Sequence, residues 1–353
     1  MTDFVYRSSA VRVVFGSGTI DRVAEELELL GCGRALVLAT PGQVDHADAV
    51  RDRLGGRAAG VFTGARMHTP VETTEEALTL ARALEADCTV AVGGGSTIGL
   101  GKALTHRTGL PQVAVPTTYA GSEVTPVLGE TRDGRKTTLR DPAVAPRTVV
   151  YDVDLTMSLP AGLTGTSGLN AMAHAVEALW ARDRNPVTSL LALEAVGAFA
   201  TALPRLADDP LDRDARSAAL YGAWLSGTCL GTVGMALHHK LCHVLGGTFD
   251  LPHSEVHAVV LPHVVDFNAP AVPAIVESIA RVLKAPRAGD GIRELRDRVG
   301  APRSLRELGM PRSGIARAAE LVTADGYPNV RPIDRAEAED LLIAAWSNCG
   351  DAG

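Results

Sequence analysis

Short apolar runs alternate with amphipathic stretches through the first half of the chain, and this alternation constrains the fold more than any other feature. The apolar runs lie at 34–40, 61–64, 88–95, 112–118 and 147–152. The segments between them, such as 20–31 and 71–87, have the apolar spacing of helices. Strands that alternate with helices of this length form βαβ units around a parallel sheet. The first half is therefore predicted to be an α/β domain.

After Tyr151 this alternation gives way to long Ala- and Leu-rich stretches with helical spacing and few strand candidates. Apolar residues make up 46% of the chain and aromatic residues only 4%, so the core must consist mainly of Ala, Val and Leu. Such a core favours helices and buried parallel strands over a β-sandwich. We expect two domains, an α/β domain over 1–155 and an all-α domain over 156–353.

Charge and cysteine content exclude several classes of protein. The net charge of −7 comes from 34 basic and 41 acidic residues that are spread along the chain. Because no basic stripe is present, nucleic acid is not expected as a partner. The five cysteines form no CxxC pair, which favours a reducing compartment. The first residues contain no signal-peptide core, and no apolar run was expected to span a membrane. These features predict a cytoplasmic protein without membrane contacts.

Two polar loops follow apolar strands in the first half, GGGST at 93–97 and PTTYAGSEVTP at 116–126. Ligands of open α/β sheets bind beyond the carboxyl ends of the strands. A glycine-rich turn at the start of a helix lets backbone amides approach a phosphate. A tight turn that needs positive φ would give the same glycines. The clustered hydroxyls of Thr117, Thr118 and Ser122 favour a dinucleotide site.

Histidines in the second half occur in polar pairs with i, i+4 spacing on otherwise apolar helices. Asn170 and His174 form one such pair, and His239 and His243 form another. Buried polar atoms need partners, at a cost of about 1–3 kcal/mol each when they have none, so such pairs point to a functional site. His238 and His106, by contrast, are expected to be ordinary core or surface residues.

The order of these motifs resembles the iron-containing alcohol dehydrogenase superfamily. Within it, PTTYAGSEVTP, SGLNAMAHAVEAL, GMALHHKLCHVLGGTFDLPHSEVHAVVLPH and YPNVRPI resemble the maleylacetate reductase branch. The resemblance covers nearly the whole chain. It implies a dinucleotide-binding α/β domain followed by an all-α domain, as in the dehydroquinate synthase-like fold, and a homodimer.

The resemblance implies a position for Fe²⁺ or Zn²⁺ with one Asp and three His ligands, and this chain departs from that set. The His positions fall on His174, His239 and His253, but the Asp position is Asn170. Three neutral imidazoles and an amide seldom hold such an ion tightly. Gly99 also stands where many members carry Asp. We expect a vestigial site without metal.

The activity implied by the resemblance is reduction of the carbon–carbon double bond of maleylacetate to give 3-oxoadipate, with NADH or NADPH as reductant. His243 and His253 are the leading candidates for proton donation and enolate stabilisation, and which of them gives the proton stays open. The expected substrate-binding residues are Asn170, His174, His239, Lys240 and Arg331. Lys240 and Arg331 would face the carboxylates of this dicarboxylate, although each also suits a surface charge.

For the cofactor, the resemblance implies contacts from both loops and from the segment around position 136. The expected residues are Gly94, Gly95, Ser96, Thr117, Thr118, Ser122 and Lys136. The strand at 34–40 ends at Thr40, where an acidic residue often selects NADH. Thr40 does not repel the 2′-phosphate of NADPH, so the choice between NADH and NADPH stays open.

Other functions are compatible with parts of this pattern. A metal-dependent alcohol or aldehyde dehydrogenase of the same superfamily would use Asn170 as a weak ligand. A non-catalytic dinucleotide-binding protein would have no need of four clustered histidines. A sugar-phosphate cyclase of related architecture would carry acidic and lysine ligands that are not found here. A related enedioate is an alternative substrate.

Overall fold

The computed structural model describes residues 3–7, 10–132, 135–324 and 326–347. It divides into two compact units. The α/β unit is Ser8–Leu159, and the helical unit is Met1–Arg7 together with Pro160–Gly353. The division falls a few residues after the one proposed at Leu155, and the first residues of the chain belong to the helical unit.

The α/β unit has strands at the five predicted positions and three further strands that were not predicted. Its elements are β1 Arg12–Gly16, α1 Val23–Leu29, β2 Ala35–Leu38, α2 Val44–Leu54, β3 Ala58–Phe62, α3 Val71–Ala83, β4 Cys88–Gly93, α4 Gly95–Thr108, β5 Gln112–Pro116, β6 Val127–Arg132, β7 Arg135–Arg140 and β8 Thr148–Asp152.

Six of these strands form one parallel sheet in the order β1-β8-β5-β4-β2-β3. The four central strands are buried along their whole length, which explains why they appear in the sequence as continuous apolar runs. The edge strands β1 and β3 are partly exposed. The predicted parallel α/β architecture is confirmed.

The register of the central strands brings the two polar loops together. Gly93 at the end of β4 is paired with Pro116 at the end of β5. The amide of Thr117 also donates to the carbonyl of Gly93 at 3.1 Å. Both loops therefore leave the same edge of the sheet side by side.

An antiparallel hairpin, β6 with β7, was not expected from the sequence. Its strands, VLGETR and RKTTLR, are mostly polar and show no clear alternation of apolar residues. Leu128 and Leu139 face each other across the hairpin and join a small core with Ala103 and Val144. Two apolar residues are too few to signal a strand pair in the sequence.

The helical unit contains nine helices among its described residues. They are α5 Ala161–Ala178, α6 Pro186–Asp208, α7 Arg213–Thr232, α8 Leu237–Phe249, α9 His253–Asn268, α10 Pro273–Leu283, α11 Ala288–Arg298, α12 Ile315–Ala324 and α13 Arg335–Trp346. The helix α5 is buried from Thr164 to Ala178 and packs against α6, α7 and α9. A second core lies among α8, α9, α12 and α13.

Among the described residues, α6 is the one helix long and apolar enough to cross a membrane, which the sequence analysis did not expect. Its most apolar 18-residue window is 39% buried in this unit. Asn185 forms a capping box with Thr188 at its start, and the helix packs against α5 and α7. These are the contacts of a helix in a globular bundle.

Candidate active site

The glycine loop between β4 and α4 has its backbone exposed toward the second loop. Gly93 has φ of 149°, and α4 begins at Gly95 with Gly94 as its N-cap and without a side-chain cap. A Cβ on Gly94 would lie 2.9 Å from the hydroxyl of Thr118, and one on Gly95 would lie 3.7 Å from the hydroxyl of Ser122. The absence of side chains therefore leaves a space bounded by backbone amides and hydroxyls.

Two hydroxyls in these loops lack hydrogen-bond partners. The oxygens of Thr97 and Ser122 are buried and unpaired among the described residues. Buried hydroxyls are normally satisfied, so these two are suited to receive a ligand. Uncapped helix amides and free hydroxyls are the groups that bind phosphate at a helix N-terminus. The loops thus fit the pyrophosphate of a dinucleotide.

The structure brings most of the expected cofactor residues to this edge of the sheet. These residues are Gly94, Gly95, Ser96, Thr117, Thr118 and Ser122. Lys136 lies in β7, and its side chain is outside the described part of the structure. Thr40 follows β2 and donates to Gln43, whose amide donates to Thr117 at 2.6 Å. The end of β2 is therefore tied to the second loop.

The histidine cluster of the helical unit is built by α5, α8 and α9. The rings of His174 and His239 lie 4.9 Å apart between centroids, and those of His253 and His257 lie 4.5 Å apart. The ring of His243 stacks on that of His253 at 6.4 Å. Asn170, His174 and His239 are all at least 93% buried, and the carbonyl oxygen of the Asn170 amide is buried with no hydrogen-bond partner among the described residues. The predicted histidine set is one cluster.

Glu177, one turn after His174 on α5, binds His239 of this cluster and was not predicted as a site residue from the sequence. Its carboxylate accepts from Nδ1 of His239 at 2.5 Å and from the backbone amide of His238 at 2.7 Å. Burial raises the pKa of Glu177, but the hydrogen bond and charge of His239 outweigh this and leave the pKa lowered. Its spacing of three residues from His174 was the available signal.

Glu177 also fixes the position of one proton of His239. A carboxylate only accepts, so Nδ1 of His239 carries a proton that it donates to Glu177. Nδ1 of His174 lies 2.7 Å from Nε2 of His239, and one of these two nitrogens donates to the other. Hydrogen bonds therefore link His174 through His239 to Glu177.

A second pair, His238 and His257, packs behind the first. Both residues are fully buried, and Nε2 of His238 lies 2.9 Å from Nδ1 of His257. The thiol of Cys242 lies 3.6 Å from the same Nε2. Burial lowers the pKa of His238 to about 3 and that of His257 well below its usual value, so both rings are neutral. The expectation that His238 is a core histidine agrees with this burial.

The residues at the superfamily metal position are a poor match to Fe²⁺ or Zn²⁺. Asn170 brings no negative charge, and the carboxylate of Glu177 on the same helix is engaged by His239 and by backbone amides. His174 and His239 bind each other through the nitrogens that face one another. The ligating nitrogens of a site for these ions must be unprotonated, and a carboxylate or thiolate usually completes the ligand set.

The two expected carboxylate-binding cations have different surroundings. Lys240 lies on α8 and is half-buried. Arg331 donates to the carbonyl of Phe267 at 3.0 Å and to Glu337 at 2.5 Å, and its guanidinium lies 4.1 Å from the centre of the Phe267 ring. These contacts hold the Arg331 side chain against Phe267 and Glu337.

Comparison with known proteins agrees with the motifs. The family model for iron-containing alcohol dehydrogenase matches residues 10–153, and the model for the C-terminal region of the Fe-containing alcohol dehydrogenase family matches residues 164–346. Maleylacetate reductase of Rhizobium sp. (strain MTP-10005) is 53% identical over 346 residues, covering 98% of both chains. Maleylacetate reductase 1 of Rhodococcus opacus is 50% identical over 345 residues, covering 98% of this chain and 97% of the other.

Solved structures give the same result. The crystal structure of maleylacetate reductase from Agrobacterium tumefaciens matches with a TM-score of 0.96 at 52% identity, and the match covers 99% of each chain. The resemblance expected from the motifs is confirmed. By these matches over nearly its whole length, the chain belongs to the iron-containing alcohol dehydrogenase family.

Proposed function

We propose that this protein reduces maleylacetate to 3-oxoadipate with NADH or NADPH, in the cytoplasm and as a homodimer, during the breakdown of aromatic compounds. The observation that carries the proposal is the 53% identity to a maleylacetate reductase over 98% of both chains. The phosphate-binding loops and the buried histidine cluster supply the two kinds of site that the reaction needs.

The α/β unit binds the cofactor through the loops at 93–97 and 116–126. Their amides and the unpaired hydroxyls of Thr97 and Ser122 hold the pyrophosphate. When bound, the reduced nicotinamide supplies a hydride to the substrate. Thr40 leaves room for either cofactor, because no carboxylate at that position repels a 2′-phosphate.

The histidine cluster stabilises the negative charge that forms on the substrate and supplies a proton. Maleylacetate has an alkene conjugated with a ketone, so hydride addition at the alkene carbon next to the carboxylate moves negative charge onto the ketone oxygen. Hydrogen-bond donors at that oxygen stabilise the enolate. His243 or His253 then gives a proton to the carbon between the ketone and the new CH₂, which completes the product. Asn170, His174 and His239 line the pocket, and Lys240 and Arg331 are candidates for binding the carboxylates.

This chemistry does not require a metal. Reduction of a plain ketone benefits from a Lewis acid that polarises the oxygen, whereas a conjugated alkene is already electrophilic. The neutral Asn170 and the mutual hydrogen bond of His174 and His239 support a reaction assisted by imidazole groups. The proposal is therefore a metal-independent reductase in a family named for iron.

The test is to follow NADH and NADPH consumption with maleylacetate, using protein treated with a chelator and assayed for residual metal. Full activity of the stripped protein supports the proposal. Activity that disappears on stripping and returns with Fe²⁺ or Zn²⁺ would show that Asn170 still helps to hold a catalytic metal. Comparing His243→Ala with His253→Ala then identifies the proton donor, because loss of the donor lowers kcat more than it raises KM.

A further inference from the structure

A lysine buried beneath the cofactor loops makes three hydrogen bonds. Lys102 lies on α4, two turns after the glycine loop, and is 1% exposed. Its ammonium donates to the carbonyl of Ser122 at 2.6 Å, to the hydroxyl of Thr125 at 2.9 Å and to the carbonyl of Val127 at 2.9 Å. An ammonium has three protons, so all of them are used.

A buried carboxylate in the second loop completes this arrangement. Glu123 is fully buried, and one of its oxygens accepts from the hydroxyl of Tyr151 on β8 at 2.9 Å. Its other oxygen has no partner among the described residues. The segment from Ser122 to Val127 is therefore held from α4 by Lys102 and from β8 by Tyr151.

These contacts join the two walls of the cofactor site. One wall is the N-terminus of α4, the helix that carries Lys102, and the other is the loop that carries Ser122. Neither GGGST nor PTTYAGSEVTP contains Lys or Arg, so the loops themselves offer the pyrophosphate no side-chain cation. We infer that Lys102 is a positioning residue for the cofactor, which clamps the Ser122–Val127 segment against α4 so that both loops bind the same pyrophosphate.

The charges of the pair support this role. Burial lowers the pKa of Lys102 to about 7, against the attraction of Glu123, and burial likewise raises the pKa of Glu123 to about 7. Keeping two ionisable groups in the dry interior is costly, and replacing both with neutral groups often costs a protein no stability. The presence of two buried ionisable groups at this place is better explained by the loop that they hold than by folding alone.

The inference rests on the proposed cofactor site, and it is tested by NADH binding without any substrate. Lys102→Met keeps the length of the side chain but removes its charge and donors. We expect the Kd for NADH to rise about tenfold, the factor expected when one charge-assisted hydrogen bond is lost. The kcat at saturating NADH should change much less. Binding is read from the fluorescence of NADH, and KM and kcat come from the reductase assay.

A double variant separates positioning from the effect of an unpaired buried charge. In Lys102→Met with Glu123→Gln, no charge is left uncompensated, and the amide can still accept from Tyr151. We expect the double variant to unfold at a higher temperature than Lys102→Met but to keep the weak NADH binding of the single variant. Recovery of the natural Kd in the double variant would overturn the inference, and so would natural NADH binding by a folded Lys102→Met protein.

Val144→Ala serves as the matched control, because Val144 packs with Ala103 and Leu128 in the small core beside α4 and takes no part in the hydrogen bonds of Lys102. It should lower the unfolding temperature and leave the Kd for NADH unchanged. Equal weakening of NADH binding by this variant would show that any loosening of the unit is sufficient, and would refute a specific role for Lys102. If the natural protein itself binds neither NADH nor NADPH, the proposed function fails instead.

Discussion

A single buried carboxylate, Glu177, organises the histidine cluster at the level of individual residues. It fixes the ring of His239 and through it the ring of His174, and it also accepts from two backbone amides at the start of α8. A glutamine of the same shape would offer one acceptor and one donor in place of two acceptors. The amide hydrogens would then oppose at least one of these donors.

We therefore expect Glu177→Gln to lower the free energy of unfolding by about 2 kcal/mol, the loss for hydrogen bonds to a charged group. Reductase activity should fall about tenfold or more, as it does when a residue that orients active-site histidines is changed. Urea unfolding and initial rates measure the two effects. Glu194→Gln, on the exposed face of α6, is the control and should leave both unchanged. Natural stability and activity of Glu177→Gln would refute this role.

His263 on α9 gives a pH dependence that is separate from the active-site cluster. Burial, together with the charges of Arg293 and Arg296, lowers its pKa to about 4. The folded state therefore keeps His263 neutral while the unfolded chain binds a proton below about pH 6.5. This contribution to stability is complete above pH 6.5 and is lost as the pH falls toward 4, at about 1.4 kcal/mol per pH unit.

His263→Gln should reduce the pH dependence of stability in that window. We expect the difference between the natural protein and the variant to change by about 1.4 kcal/mol for each unit between pH 6 and pH 5. Urea unfolding at pH 7, 6 and 5 measures it, and the two slopes should agree above pH 7. Parallel slopes throughout would mean that His263 is protonated in the folded protein.

Sequence patterns predicted which histidines lie together better than they predicted the contacts among them. The i, i+4 spacing placed Asn170 with His174 on one helix face, and the structure joins this face to His239. The role of Glu177 depends on the packing of α8 against α5, which no local pattern encodes. Arg331 was expected to face the substrate because it is charged and lies in a family motif, yet its visible partners, Phe267 and Glu337, are set by tertiary packing.

At the scale of elements, the turn from β4 into α4 is the most constrained connection. Gly93 has φ of 149°, and a Cβ there would lie 2.5 Å from the side-chain oxygen of Gln43 and 2.6 Å from the hydroxyl of Thr97. Both the backbone conformation and the lack of space oppose any side chain at this position.

Gly93→Ala should therefore destabilise the protein by about 1–3 kcal/mol and weaken NADH binding, because Gln43 and Thr97 must move. Thermal unfolding and NADH titration test the two effects. Gly56→Ala is the control, since a Cβ at Gly56 would contact nothing within 4 Å, and it should leave both unchanged. Natural NADH affinity in Gly93→Ala would mean that the loop tolerates this displacement.

Elements buried on both faces were the easiest to predict. The strands β2, β4, β5 and β8 are continuous apolar runs because helices or loops cover both sides of the sheet. The hairpin of β6 and β7 escaped prediction because it buries little more than Leu128 and Leu139. A strand that is buried on both faces is recognisable as an apolar run in the sequence. A mostly polar hairpin has no such pattern and can be recognised only from its pairing in the structure.

At the scale of the whole molecule, the two units should respond to different ligands. We expect NADH alone to slow amide hydrogen exchange at 93–97 and 116–126 in the α/β unit, because bound phosphates occupy those amides. Maleylacetate should protect segments of α5, α8 and α9 in the helical unit. Exchange measured by mass spectrometry without ligand supplies the reference. Protection by NADH confined to the helical unit would contradict the assignment of the loops.

The pairing of β1 with β8 has a consequence for the synthesis of the protein on the ribosome. β1 starts at Arg12, but its neighbour in the sheet runs from Thr148 to Asp152. At a synthesis rate of about 5–20 residues per second, the ribosome makes β8 on the order of ten seconds after β1. During that interval the nascent chain carries an unpaired strand edge, which invites association with other chains. β1 is made early but can pair only after β8 has been made. The sheet is therefore complete only when the last strand of the unit is available.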